Sequence, residues 1–312
     1  MPKQAVLLLA HGTPETVEQI PEYLLNVTGG RPLPPEVVEE IQHRYALIGH
    51  SPLTEITLEQ ARLVERELAS EGTPVPVYVG MRNWQPYIAD TMRQMRADGV
   101  EEAAVLCLAP QNSRTSVGLY RRVVETEAAG MRIDFTAGWA DHPLLIEAFA
   151  ERLRPALARL SAEGSEPVPV LFTAHSVPCR TVEPNPSSGL PADPYADEAR
   201  RTAALVADRV PEIPQWFFAF QSQGASGGPW LGPTVEETLE SLAASGVKAL
   251  ILQPIGFLCD HVEILYDVDC AFRDFAAKLG IRLERPESLN DSLMLARAIA
   301  DLAGEGLKRL WK

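Results

Sequence analysis

The sequence predicts an α/β fold: two similar Rossmann-like domains, each a parallel sheet flanked by helices. Three observations carry this. The apolar runs are continuous rather than alternating, as strands covered on both faces should be. Helical patterns lie between them, and strand–helix alternation predicts parallel sheets with right-handed crossovers. The two halves also echo each other. A strand ending in Ala-His opens each, at His11 and His175, and a helix ending in Gly-Val feeds a strand at Gly99-Val100 and again at Gly246-Val247.

The elements follow in order. Strands are expected at 5–10, 76–81, 103–110, 133–138, 168–174, 215–221, 249–257 and 281–286. "PPEVVEEIQHRYALIG" (34–49) has Pro at its start and Gly at its end, the ordinary signals of a helix. "TLEQARLVERELASEG" (57–72) is read as a helix opened by a Thr-x-x-Gln capping box. "PYIADTMRQMRADG" (86–99) and "PTVEETLESLAASG" (233–246) open with Pro and close on Gly. The domains are placed at 1–160 and 161–312, joined through "LSAEGSEP" (160–167). The C-terminal helix, about 290–311, is a candidate to pack back across the first domain.

A chain of 312 residues is comfortable for two domains. Hydrophobic content of 46% with 22% charged residues reads as globular. No apolar run approaches the roughly 20 residues of a membrane span, and no signal peptide or transmembrane segment is expected. Four cysteines without metal-binding spacing suggest free thiols in a reducing cytoplasm. A net charge of −14 with no basic block argues against a nucleic-acid partner.

In open α/β sheets ligands bind beyond the carboxyl ends of the strands. His11 and His175 sit there, and the expectation is a cleft shared by the two domains. "GFLCDHVEILYDVDCAF" (256–272) also follows a strand and runs into a helical pattern. Asp260, Glu263 and Asp267, at i, i+3 and i+7, are expected on one face, with His261 off it. The neighbouring Phe257, Ile264, Leu265 and Phe272 suggest a buried helix, where carboxylates are costly unless they bind something. Acids one turn apart can hold or pass along a hard divalent cation or protons.

"TAHSVP" (173–178), "PWLGP" (229–233) and "DHVEILYD" (260–267) together resemble ferrochelatase, which inserts Fe²⁺ into a porphyrin in haem synthesis. The likeness runs through "LLLAHGTP" (7–14), "RYALIGHSPL" (44–53), "YVGMRNWQPYI" (78–88) and "LAPQNSRTSVGLY" (108–120). The resemblance implies a lyase with two Rossmann-like domains and a porphyrin cleft. It assigns His175 and Glu263 to metal binding and proton removal, leaving open which does which. Asp267 is the next rung of an acidic ladder. Arg44, Tyr45, Ser51 and Tyr120 match positions that contact the macrocycle or its propionates, and Trp230 supports its loop. His11 stands where relatives carry other residues; it either ligates the iron of product haem or bonds a propionate. Thr28 replaces an arginine, for which Arg31 could substitute. The loop 179–195 is longer than usual, and Ala271 and Phe272 end the ladder early. Fe²⁺ is a substrate, no cofactor is held permanently, and no iron–sulfur cluster is expected. The porphyrin is coproporphyrin III or protoporphyrin IX. Rival readings are a sirohydrochlorin-type cobalt or iron chelatase and a non-catalytic tetrapyrrole- or metal-binding protein.

Overall fold

The structure is a computed structural model that describes residues 2–164, 167–184, 186–224 and 227–311. The chain divides into two compact units, Met1–Trp139 with Asn290–Lys312, and Ala140–Leu289.

The first unit builds β1 (Gln4–Ala10), α1 (Ile20–Val27), α2 (Pro35–Ile48), α3 (Leu53–Ser70), β2 (Val77–Met81), α4 (Ile88–Ala97), β3 (Glu102–Cys107), α5 (Val117–Glu127) and β4 (Arg132–Thr136). Its sheet is parallel throughout, in the order β2-β1-β3-β4. Every residue of β1 is buried, because helices cover both faces of this central strand.

The second unit contains α6 (Pro143–Glu163), β5 (Val170–His175), α7 (Cys179–Val182), α8 (Tyr195–Arg209), β6 (Trp216–Gln221), α9 (Val235–Ala244), β7 (Ala249–Pro254), a π-helix over Glu263–Phe272, α10 (Arg273–Lys278) and β8 (Arg282–Glu284). Its parallel sheet runs β6-β5-β7-β8. Each sheet therefore places its strands as second, first, third, fourth in chain order. Strand order reverses beside the first strand of each sheet, and such switch points open a crevice at the carboxyl ends. His11 follows β1, and His175 ends β5, at that point of each unit.

The last helix, α11 (Leu293–Leu310), returns to the first unit and packs on α3, β3 and β4. Gly306 permits this approach: a Cβ there would lie 2.8 Å from Asp134 Oδ2 and 3.0 Å from the Ala104 Cβ. Arg309 forks onto both oxygens of Asp134 at 2.9 and 2.8 Å. Glu102, 2% exposed, accepts from Gln4 Nε2 at 2.7 Å and pairs with Arg132.

Two sequence expectations change. The units divide at 139/140 rather than near 160, because α6 packs on α8 and β7 of the second unit. The stretch 160–167 thus connects α6 to β5 inside one unit; its Ser165 and Glu166 lie outside the described residues. Thr57 does not cap α3, which starts at Leu53; its hydroxyl donates to the Leu53 carbonyl at 2.6 Å, one turn back. The capping box at Thr234 and Glu237 does form, at the start of α9.

Candidate functional site

The second unit fixes His175 from several sides. Its carbonyl accepts from the Tyr195 hydroxyl at 2.8 Å. The next amide, Ser176 N–H, donates to the Gln221 carbonyl at 2.7 Å. Ser176 Oγ then donates to the Leu231 carbonyl at 2.8 Å, and Leu231 N–H to the Val177 carbonyl at 3.0 Å. The "PWLGP" loop is thereby stitched along the segment after β5, and Trp230 forms a bridge with Pro178. Gly256 lets the chain leaving β7 press against β5: a Cβ there would sit 3.2 Å from the Ala174 Cα. The loop 179–195, whose Asn185 lies outside the described residues, is closed by Asp193 N–H on the Val182 carbonyl at 2.8 Å. That closure returns Tyr195 to the core.

Glu263 opens the π-helix and faces His175, with Oε1 3.5 Å from Nε2. Its other oxygen is 3.9 Å from His261 Nε2. One carboxylate therefore serves two imidazoles, and the Phe257 ring packs on both, 6.3 Å from His175 and 4.6 Å from His261 between centroids. His175 Nδ1 donates to the Ser176 carbonyl, which orients the ring and leaves Nε2 directed at Glu263.

The two imidazoles titrate in opposite directions. Burial alone would lower the His175 pKa, but the Glu263 carboxylate, the Ser176 carbonyl and Asp267 outweigh it and raise it. Burial dominates at His261 and lowers its pKa, despite Glu263 and Asp260. His261 Nδ1 is buried with no hydrogen-bond partner among the described residues. Asp267 is buried and accepts from Ser222 Oγ at 2.5 Å. Ser222 holds the left-handed conformation, φ 59°, an uncommon state for a serine.

This arrangement suits transient handling of a cation and protons. His175 Nε2 and Glu263 Oε1 are 3.5 Å apart, so a first-row divalent ion about 2.1 Å from each would subtend roughly 110°. A proton on Nε2 and a metal on Nε2 exclude each other. Among the described residues no group of three or more His, Cys, Asp or Glu could hold a metal ion. Two donors leave the remaining coordination positions open.

The first unit places the other sequence candidates. His11 is exposed after β1, its Nε2 3.0 Å from the Tyr23 hydroxyl and 3.0 Å from Asn83 Nδ2. Arg82 Nε donates to Asn83 Oδ1 at 3.2 Å, which orients that amide. Tyr45 is buried and bonds Thr13 Oγ1 at 2.9 Å. Ser51 is buried, its hydroxyl without a partner among the described residues. Tyr120 is buried under the Arg82 guanidinium, 5.5 Å from its ring, and burial pushes its phenol pKa up. Arg44 is paired with Glu40 at 3.0 Å on α2. Arg31 folds back onto the Thr28 carbonyl at 3.3 Å.

The expected single acidic face does not form. Asp260 precedes the helix and turns to Arg285 and Ser288, leaving Glu263 and Asp267 near His175. His261, read as off the face, is the residue that sequence reasoning missed. The segment starts as a turn and continues as a π-helix, so an α-helical period misplaces its side chains.

The family profile described as Ferrochelatase matches residues 3–307. A protein named Ferrochelatase from Acidobacterium capsulatum is 59% identical, over 99% of this chain and 96% of its own length. A Coproporphyrin III ferrochelatase from Mycolicibacterium vanbaalenii is 36% identical, over 98% of this chain and 90% of its own. Among solved structures, the sirohydrochlorin chelatase SirB from Bacillus subtilis in complex with cobalt matches with a TM-score of 0.58 at 12% identity, over 98% of this chain and 96% of that one. At that identity the likeness concerns the fold alone.

Proposed function

Because the chain belongs to the ferrochelatase family, we propose that His175 and Glu263 receive the incoming Fe²⁺ and take the pyrrole protons. The chain is a lyase-class metal chelatase, inserting Fe²⁺ into a porphyrin in haem biosynthesis. The sirohydrochlorin reading is not favoured, since its supporting likeness is one of fold. The observation that carries the site reading is the 3.5 Å approach of His175 Nε2 to Glu263.

Insertion exchanges two pyrrole N–H protons for Fe²⁺. A flat macrocycle hides its nitrogen lone pairs in the ring plane, so the ring must bend. That strain, on the order of 1–5 kcal/mol, comes from contacts to remote parts of the substrate. Neutral His175 accepts a pyrrole proton at Nε2, and the Glu263 carboxylate stabilises the imidazolium that results. Asp267 adds negative charge beyond Glu263 and is the next acceptor for the protons as they leave. An imidazole–carboxylate pair binds Fe²⁺ too incompletely to store it, which suits delivery.

The macrocycle contacts belong to the same proposal: His11, Arg44, Tyr45, Ser51 and Tyr120 line the porphyrin side. His11 ligates the product iron or bonds a propionate. Coproporphyrin III is the proposed substrate, supported by the name of the Mycolicibacterium vanbaalenii relative. The proposed setting is the cytoplasm, with no nucleic-acid partner, resident cofactor or iron–sulfur cluster. Unpaired thiols at Cys107, Cys179, Cys259 and Cys270 support it. Among the described residues no helix is long and apolar enough to cross a membrane.

The test is steady-state insertion of Fe²⁺ with coproporphyrin III, protoporphyrin IX and sirohydrochlorin in turn, for the native chain and His175→Ala. The variant should lose insertion while keeping porphyrin affinity within a few-fold. Loss of porphyrin binding with insertion retained would show the role is misassigned.

A further inference from the structure

Around Asp260 and Asp269, on either side of Glu263 in the chain, lies a half-buried ionic cluster that the reaction does not itself require. Arg285 follows β8 and is only 10% exposed at its side chain. It forks onto Asp269, Nε to Oδ1 at 2.8 Å and Nη2 to Oδ2 at 2.7 Å. Its Nη1 lies 3.2 Å from Asp260 Oδ1 and donates to Ser288 Oγ at 3.1 Å and the Pro286 carbonyl at 3.2 Å. Ser288 Oγ in turn donates to Asp260 Oδ1 at 2.6 Å. Asp260 precedes Glu263 by one turn, and Asp269 lies further along the same π-helix.

We propose that Arg285 is a positioning residue: by gripping Asp260 and Asp269 together, it sets the helical phase that keeps the Glu263 carboxylate opposite His175. The inference rests on the role of Glu263 proposed above. The phase argument is geometric. A π-helix bonds i to i+5, whereas an α-helix bonds i to i+4. Over the six residues from Glu263 to Asp269 the two forms differ by roughly a third of a turn. With Asp269 held, relaxation to the commoner α-helix would swing Glu263 away from Nε2. A planar five-donor fork can hold two carboxylates at once, which a lysine ammonium cannot do in this geometry. Arg273 also approaches Asp269, at 3.6 Å, but its side chain is about half exposed.

The test uses the full chain with Arg285→Lys, which keeps the charge, and Asp269→Asn, which keeps the shape, each with Glu263→Gln as control. Each should lower kcat on the order of 10-fold with porphyrin KM within about two-fold, since small misplacements of a reacting group cost rate steeply. The double variant should be little worse than either single one. Amide exchange in the apoprotein should quicken over 260–269 and stay unchanged in β5. Unchanged exchange in both variants would overturn the proposal, as would a rise in KM in step with the losses of kcat and thermal stability. Glu263→Gln separates the two readings: if it stays active, the site assignment fails, and the exchange data alone decide the clamp.

Discussion

Tyr195→Phe is the most direct probe of how the fold presents His175. The phenol is 8% exposed and donates to the His175 carbonyl at 2.8 Å. The substitution keeps the ring and removes one oxygen, leaving a part-buried carbonyl without that donor. A hydrogen bond of this kind contributes about 0.5–1.5 kcal/mol net, and an unsatisfied buried partner raises the cost to about 1–3 kcal/mol. With about 2 kcal/mol lost and roughly 2–4 °C per kcal/mol for a domain of this size, Tm should fall by about 4–8 °C. If half of that loss is felt as misplacement of the imidazole, about 1 kcal/mol, kcat drops roughly five-fold. Calorimetry gives the first quantity, and porphyrin absorbance under steady-state insertion gives the second. An unchanged Tm would refute the energetic argument. A lowered Tm with kcat intact would refute the claim that this bond sets His175 for catalysis.

Three further outcomes are expected. Glu263→Gln should cut insertion at least about 100-fold, the low end for a lost acid–base partner. Because Glu263 raises the His175 pKa and the neutral imidazole is the active form, the acid limb of the residual pH–rate profile should move to lower pH. Burial disfavours the Glu102 carboxylate, but Gln4 and Arg132 outweigh it and hold its pKa below the usual range. Its stabilisation is therefore present above the unfolded value of about 4.3 and lost as pH falls through the folded one; Glu102→Gln should flatten the Tm–pH curve in that acid window. Gly306→Ala gains about 1 kcal/mol of helix propensity but overpacks Asp134 and Ala104 at about 1–3 kcal/mol, so thermal melts should show a net loss; a rise in Tm would mean that α11 shifts freely.

Each of the eight expected strands has a counterpart; the central ones, such as β1 and β5, write themselves as unbroken apolar runs, while the edge strands β4 and β8 carry charged residues. Boundaries were less legible. The run at 249–257 continues past β7, which ends at Pro254, since Gly256 and Phe257 serve the turn beside His175. Thr57 and Gln60 imitate a helix start, yet Gln60 is spent on the Asn290 carbonyl at 2.8 Å, a contact far away in the chain. At the site, the closeness of His175 and Glu263 could be anticipated from two strand ends and a motif. The placement of His261 and Asp260 could not. It depends on π-helical phase and on Arg285, and neither leaves a mark in local periodicity. The domain boundary was hidden for a similar reason: α6 carries apolar residues suited to either sheet, and only packing decides which one receives it.

The return of α11 to the first unit has a consequence for biosynthesis. The first unit is interrupted in the chain by the whole of Ala140–Leu289, and its covering helix emerges last. During translation, the faces of β3 and β4 that α11 covers stay bare to water until the second unit has been made. The nascent chain therefore carries a sticky, half-roofed sheet through much of its elongation, and it is there that a chaperone would have the most to shield.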